Sequence, residues 1–231
     1  MNLRPEGRVL RIGHRGAAAL APENTLASIE AAIEHELDLV EMDVVAHADA
    51  LRLAHTPAQV REDSPTLDEA LALVSRADAG VMLDLKSRGI ERRAVEALHK
   101  RDLLDRAVVA SSHPASLRTA KEAEPGLTTG LSYPFDRAGI SERAAFQPLI
   151  RAGLSGLRRV LPVRIAGMLA RSRADAAVLH YSLVSRRLVE RCHGLDAAVL
   201  AWTIEDEDAL AGVLAAGVDG VIANDPRLLE D

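Results

Sequence analysis

The feature that most constrains the fold is an alternation of eight short apolar runs with segments of helical periodicity. Runs that are apolar on both faces are typical of parallel strands covered by helices. Eight strand–helix units in about 220 residues favour a closed barrel over an open sheet. We therefore expect an α/β chain, a TIM (β/α)₈ barrel forming a single domain over residues 1–231. The predicted strands are 9–12, 37–45, 81–85, 107–110, 128–131, 176–179, 198–202 and 220–223, with a short extra strand at 51–54. Asn24 is the predicted N-cap of the first helix.

Composition narrows the class of protein. The chain is 48% hydrophobic but only 2% aromatic, so its core must be built from Ala, Leu, Val and Ile. A net charge of −6 argues against a general nucleic-acid binder. The first residues lack the apolar run of a signal peptide, and no apolar stretch is long enough for a membrane span. The single cysteine, Cys192, fits a reducing compartment. We expect a soluble, cytoplasmic protein.

Polar residues interrupt or follow the predicted strands at their carboxyl ends, where TIM barrels place their functional groups. Glu41 and Asp43 lie two residues apart in the second strand and therefore on one face of it. Charges inside apolar strands need partners, since unpaired burial costs several kcal/mol. The other rim residues are His14, Arg15, His55, Asp84, Lys86, Ser111 to His113, His180, Trp202, Thr203 and Asn224.

Two interpretations of the acids remain open. With Asp84 as third ligand, Glu41 and Asp43 would form an all-oxygen site that suits Mg²⁺ or Ca²⁺ better than zinc. Alternatively, the three acids pair with Arg15 and Lys86 as a buried ionic network. The charge balance alone does not decide between them.

The histidines and cations of this set indicate phosphate chemistry. His14 and His55 are the natural proton carriers, because an unperturbed histidine titrates near pH 6.5. A single histidine at a strand end is commonly structural, but two that bracket a carboxylate pair favour catalysis. Arg15 and Lys86 are the phosphate-seeking charges.

Several of these segments resemble a known family. His14-Arg15-Gly16, then Pro22-Glu23-Asn24-Thr25, then Glu41-Met42-Asp43-Val44 resemble the opening signature of the glycerophosphodiester phosphodiesterases. Leu83-Asp84-Leu85-Lys86 is similar to the family's later Glu-x-Lys strand. Trp202-Thr203 and the segment 217–222, followed by Asn224 and Pro226, are similar to its last two strands. The resemblance runs in order from about residue 9 to residue 228.

The resemblance implies a TIM barrel that hydrolyses glycerol phosphodiesters to glycerol 3-phosphate and an alcohol, with one divalent cation. Transferred to matching positions, it implies Glu41, Asp43 and Asp84 as metal ligands and His14 and His55 as the acid/base pair. Arg15 and Lys86 would hold the phosphate of a small-molecule phosphodiester. At the rim, we also expect His113, His180 and Trp202 to contact the substrate.

Two further hypotheses compete with this one. A related phospholipase, either a lysophospholipase D or one forming a cyclic phosphate, would differ in its substrate or product. A barrel that binds phosphodiesters or membranes with little turnover is suggested by Thr56 and Ser112, since the family usually has acidic or aromatic residues there. The sequence leaves the oligomeric state open.

Residues 134–174 form a basic stretch, which we expect to be a helical insertion between the fifth and sixth strands. It contains eight arginines against Asp136 and Glu142. Pro162 is predicted to start a second helix within it. The stretch is either a long loop with a solvated arginine face or a basic flap for peripheral contact with anionic lipid. Its helical stripe is Leu154, Leu157, Leu161, Ile165 and Met168.

Overall fold

In a computed structural model, the chain folds into a closed barrel of eight parallel strands surrounded by helices. The structure describes residues 1–134 and 147–230, and it describes the side chains of the fifth helix from residue 154 on. The strands are β1 (Leu10–Gly13), β2 (Leu39–His47), β3 (Ala50–Leu53), β4 (Gly80–Leu85), β5 (Ala107–Ser111), β6 (Thr128–Tyr133), β7 (Ala176–His180), β8 (Ala198–Ile204) and β9 (Gly220–Ala223). The helices are α1 (Leu26–Glu34), α2 (Leu67–Val74), α3 (Glu91–Lys100), α4 (Pro114–Ala123), α5 (Gln147–Ser172), α6 (Arg186–His193) and α7 (Glu207–Ala216).

Strand pairing closes the barrel. β1 pairs in parallel with β9 on one side and with β2 on the other, so the barrel has no free edge. The remaining strand, β3, pairs antiparallel with the end of β2 and forms a hairpin at the carboxyl rim. The predicted barrel, including the short extra strand, is confirmed.

Two apolar layers hold the barrel together. Leu10, Ile12, Leu39 and Met82 belong to the layer inside the barrel, and a larger layer lies between the strands and the helices. Both consist mainly of aliphatic residues, as the composition predicts. The inner layer fills the lower barrel, and the polar strand ends therefore meet above it.

Helix α1 begins one residue later than predicted. Its N-cap is Thr25, whose hydroxyl accepts from the Ser28 backbone N–H, and not Asn24. Asn24 lies in the left-handed region at φ 57° and turns its side chain towards β2. Asparagine favours both the N-cap position and the left-handed backbone region, and a tertiary hydrogen bond keeps Asn24 in the second of these. The predicted N-cap was therefore wrong.

Helix α5 is continuous from Gln147 to Ser172, with Pro162 inside it. The predicted restart at Pro162 was therefore wrong. Leu161 and Ile165 are both buried against the barrel, so burial of one continuous face outweighs the backbone hydrogen bond that proline removes. The predicted stripe is confirmed, because Leu154, Leu157 and Met168 also pack against this core. Arg137, Arg143, Asp136 and Glu142 lie outside the described residues.

Among the helices in the described ranges, none is both long enough and apolar enough to span a membrane. The cytoplasmic location stays a prediction.

Candidate active site

His14 follows β1 directly and is fixed by the neighbouring strand β9. Its backbone N–H donates to the Ala223 carbonyl at 2.8 Å, and its Nδ1 lies 2.7 Å from Asn224 Oδ1. Because an amide oxygen can only accept, Nδ1 carries the proton and Nε2 keeps a lone pair. Burial, together with the charge of Arg15, lowers the pKa of His14 to about 4. The imidazole is therefore neutral at neutral pH.

A tight turn after His14 ties β1 to the acidic strand β2. Arg15 has φ 51° and Gly16 has φ 85°. A Cβ on Gly16 would lie 2.4 Å from Ser28 Oγ, so the position requires glycine. In this turn the Arg15 backbone N–H donates to Glu41 Oε2 at 2.8 Å, and the Gly16 N–H donates to the Glu41 carbonyl at 2.9 Å.

Three carboxylates converge at the base of the rim. Glu41 and Asp43 share a face of β2, and Asp84 lies beside Asp43 in the parallel register of β4. One oxygen from each lies within 4.8 Å of the others. Glu41 is 4% exposed and Asp43 is 1% exposed. Burial, reinforced by Asp43, raises the pKa of Glu41 well above its ordinary value. The cluster has the ligand type and spacing of a cation site.

Lys86 and Arg15 contact the same acids. Lys86 Nζ lies 2.9 Å from Asp43 Oδ1 and 2.5 Å from Asp84 Oδ2. Arg15 Nε lies 3.0 Å from Asp43 Oδ2 without the alignment of a hydrogen bond. Burial alone would raise the pKa of Asp43, but Lys86, the hydrogen bond with His55 and Arg15 hold it well below its ordinary value. The ion pairs of the alternative interpretation are thus present within the carboxylate cluster.

His55 follows the β2–β3 hairpin and lies beside this cluster. Its Nδ1 lies 3.0 Å from Asp43 Oδ2 and 3.0 Å from Arg15 Nη2. Thr56, at the position where the family usually has an acid, donates its hydroxyl hydrogen to Gln59 Oε1. Asp43 therefore supplies the carboxylate beside His55 that its sequence neighbour does not.

A cavity of about 270 Å³ opens at this end of the barrel. On the side of β1, β2 and β4 it is lined by charged or titratable groups. On the other side its lining is uncharged and mostly apolar. There the Ser132 hydroxyl is buried and has no hydrogen-bond partner among the described residues. The lining consists of His14, Arg15, Glu41, His55, Thr56, Pro57, Met82, Asp84, Lys86, Ser112, Ser132, Pro134, Val178, Trp202 and Ile222.

Of the three predicted rim contacts, the structure brings Trp202 to the cavity. The indole N–H of Trp202 donates to the Val178 carbonyl at 3.2 Å, which turns the ring across the apolar side. His180 and His113 are not part of the lining formed by the described residues. His180 bonds Ser182 Oγ at 2.8 Å and stacks on Tyr181, and His113 lies beside Ser112 at the start of α4. The His180 ring also meets the Trp202 ring edge-on, with the ring centroids 5.4 Å apart.

Two asparagines hold the site, and sequence reasoning gave neither a role in it, because it placed Asn224 at the rim without a function and took Asn24 as a helix cap. Asn224 orients His14, and Asn24 accepts from the Asp43 backbone N–H at 3.0 Å while its amide lies 3.4 Å from Asp43 Oδ2. Both lie in segments that carry the family resemblance. That location is the sequence signal that could have indicated a role in the site. Ser132 lies in no recognised motif, so nothing local pointed to it.

Known proteins resemble this chain in sequence and in fold. A glycerophosphodiester phosphodiesterase of Caldanaerobacter subterraneus is 26% identical over 96% of both chains. Among solved structures, an Oleispira antarctica phosphodiesterase in complex with its product sn-glycerol-3-phosphate has a TM-score of 0.72 at 23% identity, covering 97% of this chain and 94% of that one. A glycerophosphodiester phosphodiesterase of Parabacteroides distasonis has a TM-score of 0.73 at 17% identity, covering 95% and 94%.

The fold and the sequence relatives together define the class as a TIM-barrel phosphodiesterase. More particularly, the sequence profile of the glycerophosphoryl diester phosphodiesterase family matches residues 14–51 and 51–228, and the chain belongs to that family.

Proposed function

We propose that this protein hydrolyses glycerophosphodiesters to glycerol 3-phosphate and an alcohol, with one divalent cation held by Glu41, Asp43 and Asp84. The single observation that carries the proposal is the convergence of these three carboxylates at the base of a cavity flanked by two histidines. Family membership supports the reaction class, and the product complex of the Oleispira protein supports the product.

The three carboxylates suit a hard cation. All donors are oxygens, and the raised pKa of Glu41 is the expected response of a buried carboxylate that lacks a positive partner at close range. Mg²⁺ and Ca²⁺ both prefer such ligands. A bound cation would polarise the phosphoryl oxygens and offset the charge that develops on them.

Arg15 and Lys86 would hold the phosphate. Both line the cavity beside the carboxylates, and their positive charges neutralise the phosphodiester monoanion. Burial alone would lower the pKa of Lys86, but Asp43 and Asp84 raise it well above its ordinary value, so the ammonium stays charged.

Two proton transfers balance the reaction. A nucleophilic oxygen bonds to phosphorus, and the bond from phosphorus to the leaving alcohol breaks. If the nucleophile is water, glycerol 3-phosphate forms directly. If it is the neighbouring glycerol hydroxyl, a cyclic phosphate forms, and water must then attack phosphorus and break one ring P–O bond to give glycerol 3-phosphate. His14 takes the proton of the nucleophile, because the Asn224 contact leaves Nε2 unprotonated. His55 donates a proton to the leaving alkoxide, and the contact of its Nδ1 with Asp43 Oδ2 holds the ring at the cavity for this role.

The uncharged side of the cavity would accept the neutral part of the substrate. Val178, Trp202 and Ile222 offer apolar contact there. The unpartnered Ser132 hydroxyl can bond a substrate hydroxyl, which removes the cost of leaving a buried hydroxyl unsatisfied.

Product analysis tests this function. Purified protein is incubated with glycerophosphocholine in Mg²⁺, Ca²⁺ or EDTA, and glycerol 3-phosphate is measured. We expect release with a divalent cation, loss in EDTA, and a fall of at least about 10²-fold in His14→Ala. Arg92→Ala on α3 serves as a surface control. Full activity in EDTA or in His14→Ala would refute the proposal.

A substrate with a better leaving group distinguishes the roles of the two histidines. 4-Nitrophenolate leaves without protonation, so His55→Ala should retain activity on bis(4-nitrophenyl) phosphate while losing it on glycerophosphocholine. His14→Ala should lose both. The reverse pattern would exchange the two roles.

The alternatives are separated by the same product analysis. A cyclic phosphate as the end product indicates attack by the glycerol hydroxyl without subsequent hydrolysis. Turnover of lysophospholipids in preference to glycerophosphocholine indicates a lysophospholipase D. Tight binding of phosphodiesters without turnover indicates a binding barrel, although the Asp43–His55 contact favours an active enzyme.

A further inference from the structure

Helix α5 is the most basic element of the chain. It contains five arginines and no acidic residue, whereas the whole chain carries a net charge of −6. A concentration of positive charge on one helix of an acidic protein is not needed for solubility, and the proposed active site does not include it.

The side of α5 that faces away from the barrel also exposes apolar residues. Val160 is 48% exposed and Val163 is 73% exposed, and they lie three residues apart on one face of the helix. Arg159 and Arg164 are exposed beside them. We call these four residues the α5 outer face.

The fold does not require arginine and valine side chains on the α5 outer face. Leu161 and Ile165 on the opposite side of the helix already provide the buried contact with the barrel. Arg158, by contrast, lines a surface groove together with Asp206 and Asp208 of the α7 start, so its charge has acids nearby. We therefore leave Arg158 out of the α5 outer face.

We propose that the α5 outer face binds the surface of an anionic lipid bilayer. Guanidinium groups pair with lipid phosphates, and the valine side chains enter the boundary between headgroups and acyl chains. Basic residues near an anionic membrane each contribute roughly fivefold to binding, and long arginine side chains reach the headgroups while their stems stay in apolar surroundings. Basic and apolar residues on one exposed helix face fit this partner better than a nucleic acid, which offers no apolar layer.

The position of α5 relates this surface to the cavity. The helix follows β6, so its amino-terminal part lies at the carboxyl rim where the cavity opens. Leu154, Ser155 and Arg158 of α5 line one groove with Tyr181 and Ser182, which follow β7 at the same rim. The α5 outer face begins five residues after Leu154, so it lies on the side of the barrel below this rim.

Vesicle co-sedimentation tests the proposal. Full-length protein is mixed with vesicles of phosphatidylcholine and phosphatidylglycerol (about 7:3), or of phosphatidylcholine alone, in low and high salt. We expect binding to the anionic vesicles in low salt, weakening in high salt, and little binding to the neutral vesicles.

Variants then locate the surface. Arg159→Glu/Arg164→Glu should lower the partition coefficient by at least about 20-fold, and Val163→Asp should also reduce it. The matched control is Arg92→Glu/Arg187→Glu, which makes the same charge change at exposed positions of α3 and α6 and should bind nearly as the parent does. Circular dichroism melting checks that each variant is folded.

Three outcomes would overturn the proposal: no binding to anionic vesicles in low salt, equal losses in the test and control variants, or equal binding to both vesicle types. The hydrolysis of soluble glycerophosphocholine should be unchanged in Arg159→Glu/Arg164→Glu. Vesicle binding can therefore fail while the proposed hydrolysis stands, and the reverse also holds.

Discussion

Replacing Glu41 by glutamine should stabilise the protein without metal while removing its response to metal. Asp43 and Asp84 have direct ion pairs with Lys86, and Asp43 also with Arg15. Among the described residues, Glu41 has no ion pair within 4.0 Å, and it accepts the Arg15 backbone N–H. It is therefore the carboxylate whose charge is least compensated.

The magnitude follows from the spacing of the acids. Two unit charges 4.8 Å apart repel by about 3.5 kcal/mol at an effective dielectric constant of 20. Glu41 has two such neighbours, but its raised pKa relieves part of the repulsion by protonation. Glutamine keeps the acceptor for Arg15 and removes the charge, so we expect the free energy of unfolding in EDTA to rise by about 1–3 kcal/mol. For a chain of this size that is roughly 2–12 °C in Tm.

The assay compares thermal melts of parent and variant in EDTA and in Mg²⁺ or Ca²⁺. At a metal concentration of about 100 times Kd, the parent should gain about 2.7 kcal/mol and the variant much less. Glu91→Gln is the matched control, because Glu91 is also buried but lies on α3, and the pKa of its carboxyl is lowered. The control should keep the full response to metal.

The reasoning is refuted if Glu41→Gln lowers the Tm in EDTA while keeping the metal-induced gain. That result would mean that Glu41 contributes to the structure through its charge and does not bind the cation.

Three further predictions concern residues around the site and in the core. Asn24→Gly, which tolerates the left-handed backbone but cannot hold Asp43, should weaken metal binding by about 10–100-fold in calorimetric titration, and an unchanged affinity would contradict the role of Asn24. The folded-state pKa of His14, about 4, lies below the ordinary 6.5, so the unfolded chain binds more protons between these values and stability in EDTA falls as pH drops through that window. His14→Gln should flatten this dependence in melts recorded at pH 7, 5.5 and 4.5, and a parallel loss in both proteins would argue against it. Burial and nearby Asp219 raise the pKa of Cys192 to about 12, so thiol reagents should modify it only at the rate of unfolding, and rapid modification of native protein would disprove the burial.

The barrel could be predicted because its signal is local. Each strand is a short run that is apolar on both faces, and each is followed by a helical segment. The order of the elements can therefore be predicted from the local sequence. The same is true of Glu41 and Asp43, whose two-residue spacing puts them on one face of any strand. Asp84 joins them because parallel pairing of β2 and β4 sets Asp43 beside it.

Local rules failed where a long-range contact competed with a local preference. Pro162 predicted a helix start, but the continuous burial of Leu161 and Ile165 on the barrel kept α5 in one piece. Asn24 is a good N-cap residue, but a hydrogen bond to β2 took its side chain and left the cap to Thr25. In each case a long-range contact outweighed a preference worth about 1–3 kcal/mol.

The sequence by itself determined the class of fold, the acidic strand and the residues that carry the family resemblance. Only the tertiary structure decided which rim residues meet. It placed His14 against Asn224, 210 positions later in the chain, and brought Ser132 and Trp202 to the cavity. It left His113 and His180 outside the lining formed by the described residues. The physical reason is that periodicity specifies the face of an element on which a side chain lies. The distance between two residues that are far apart in the chain is set by barrel closure and side-chain packing.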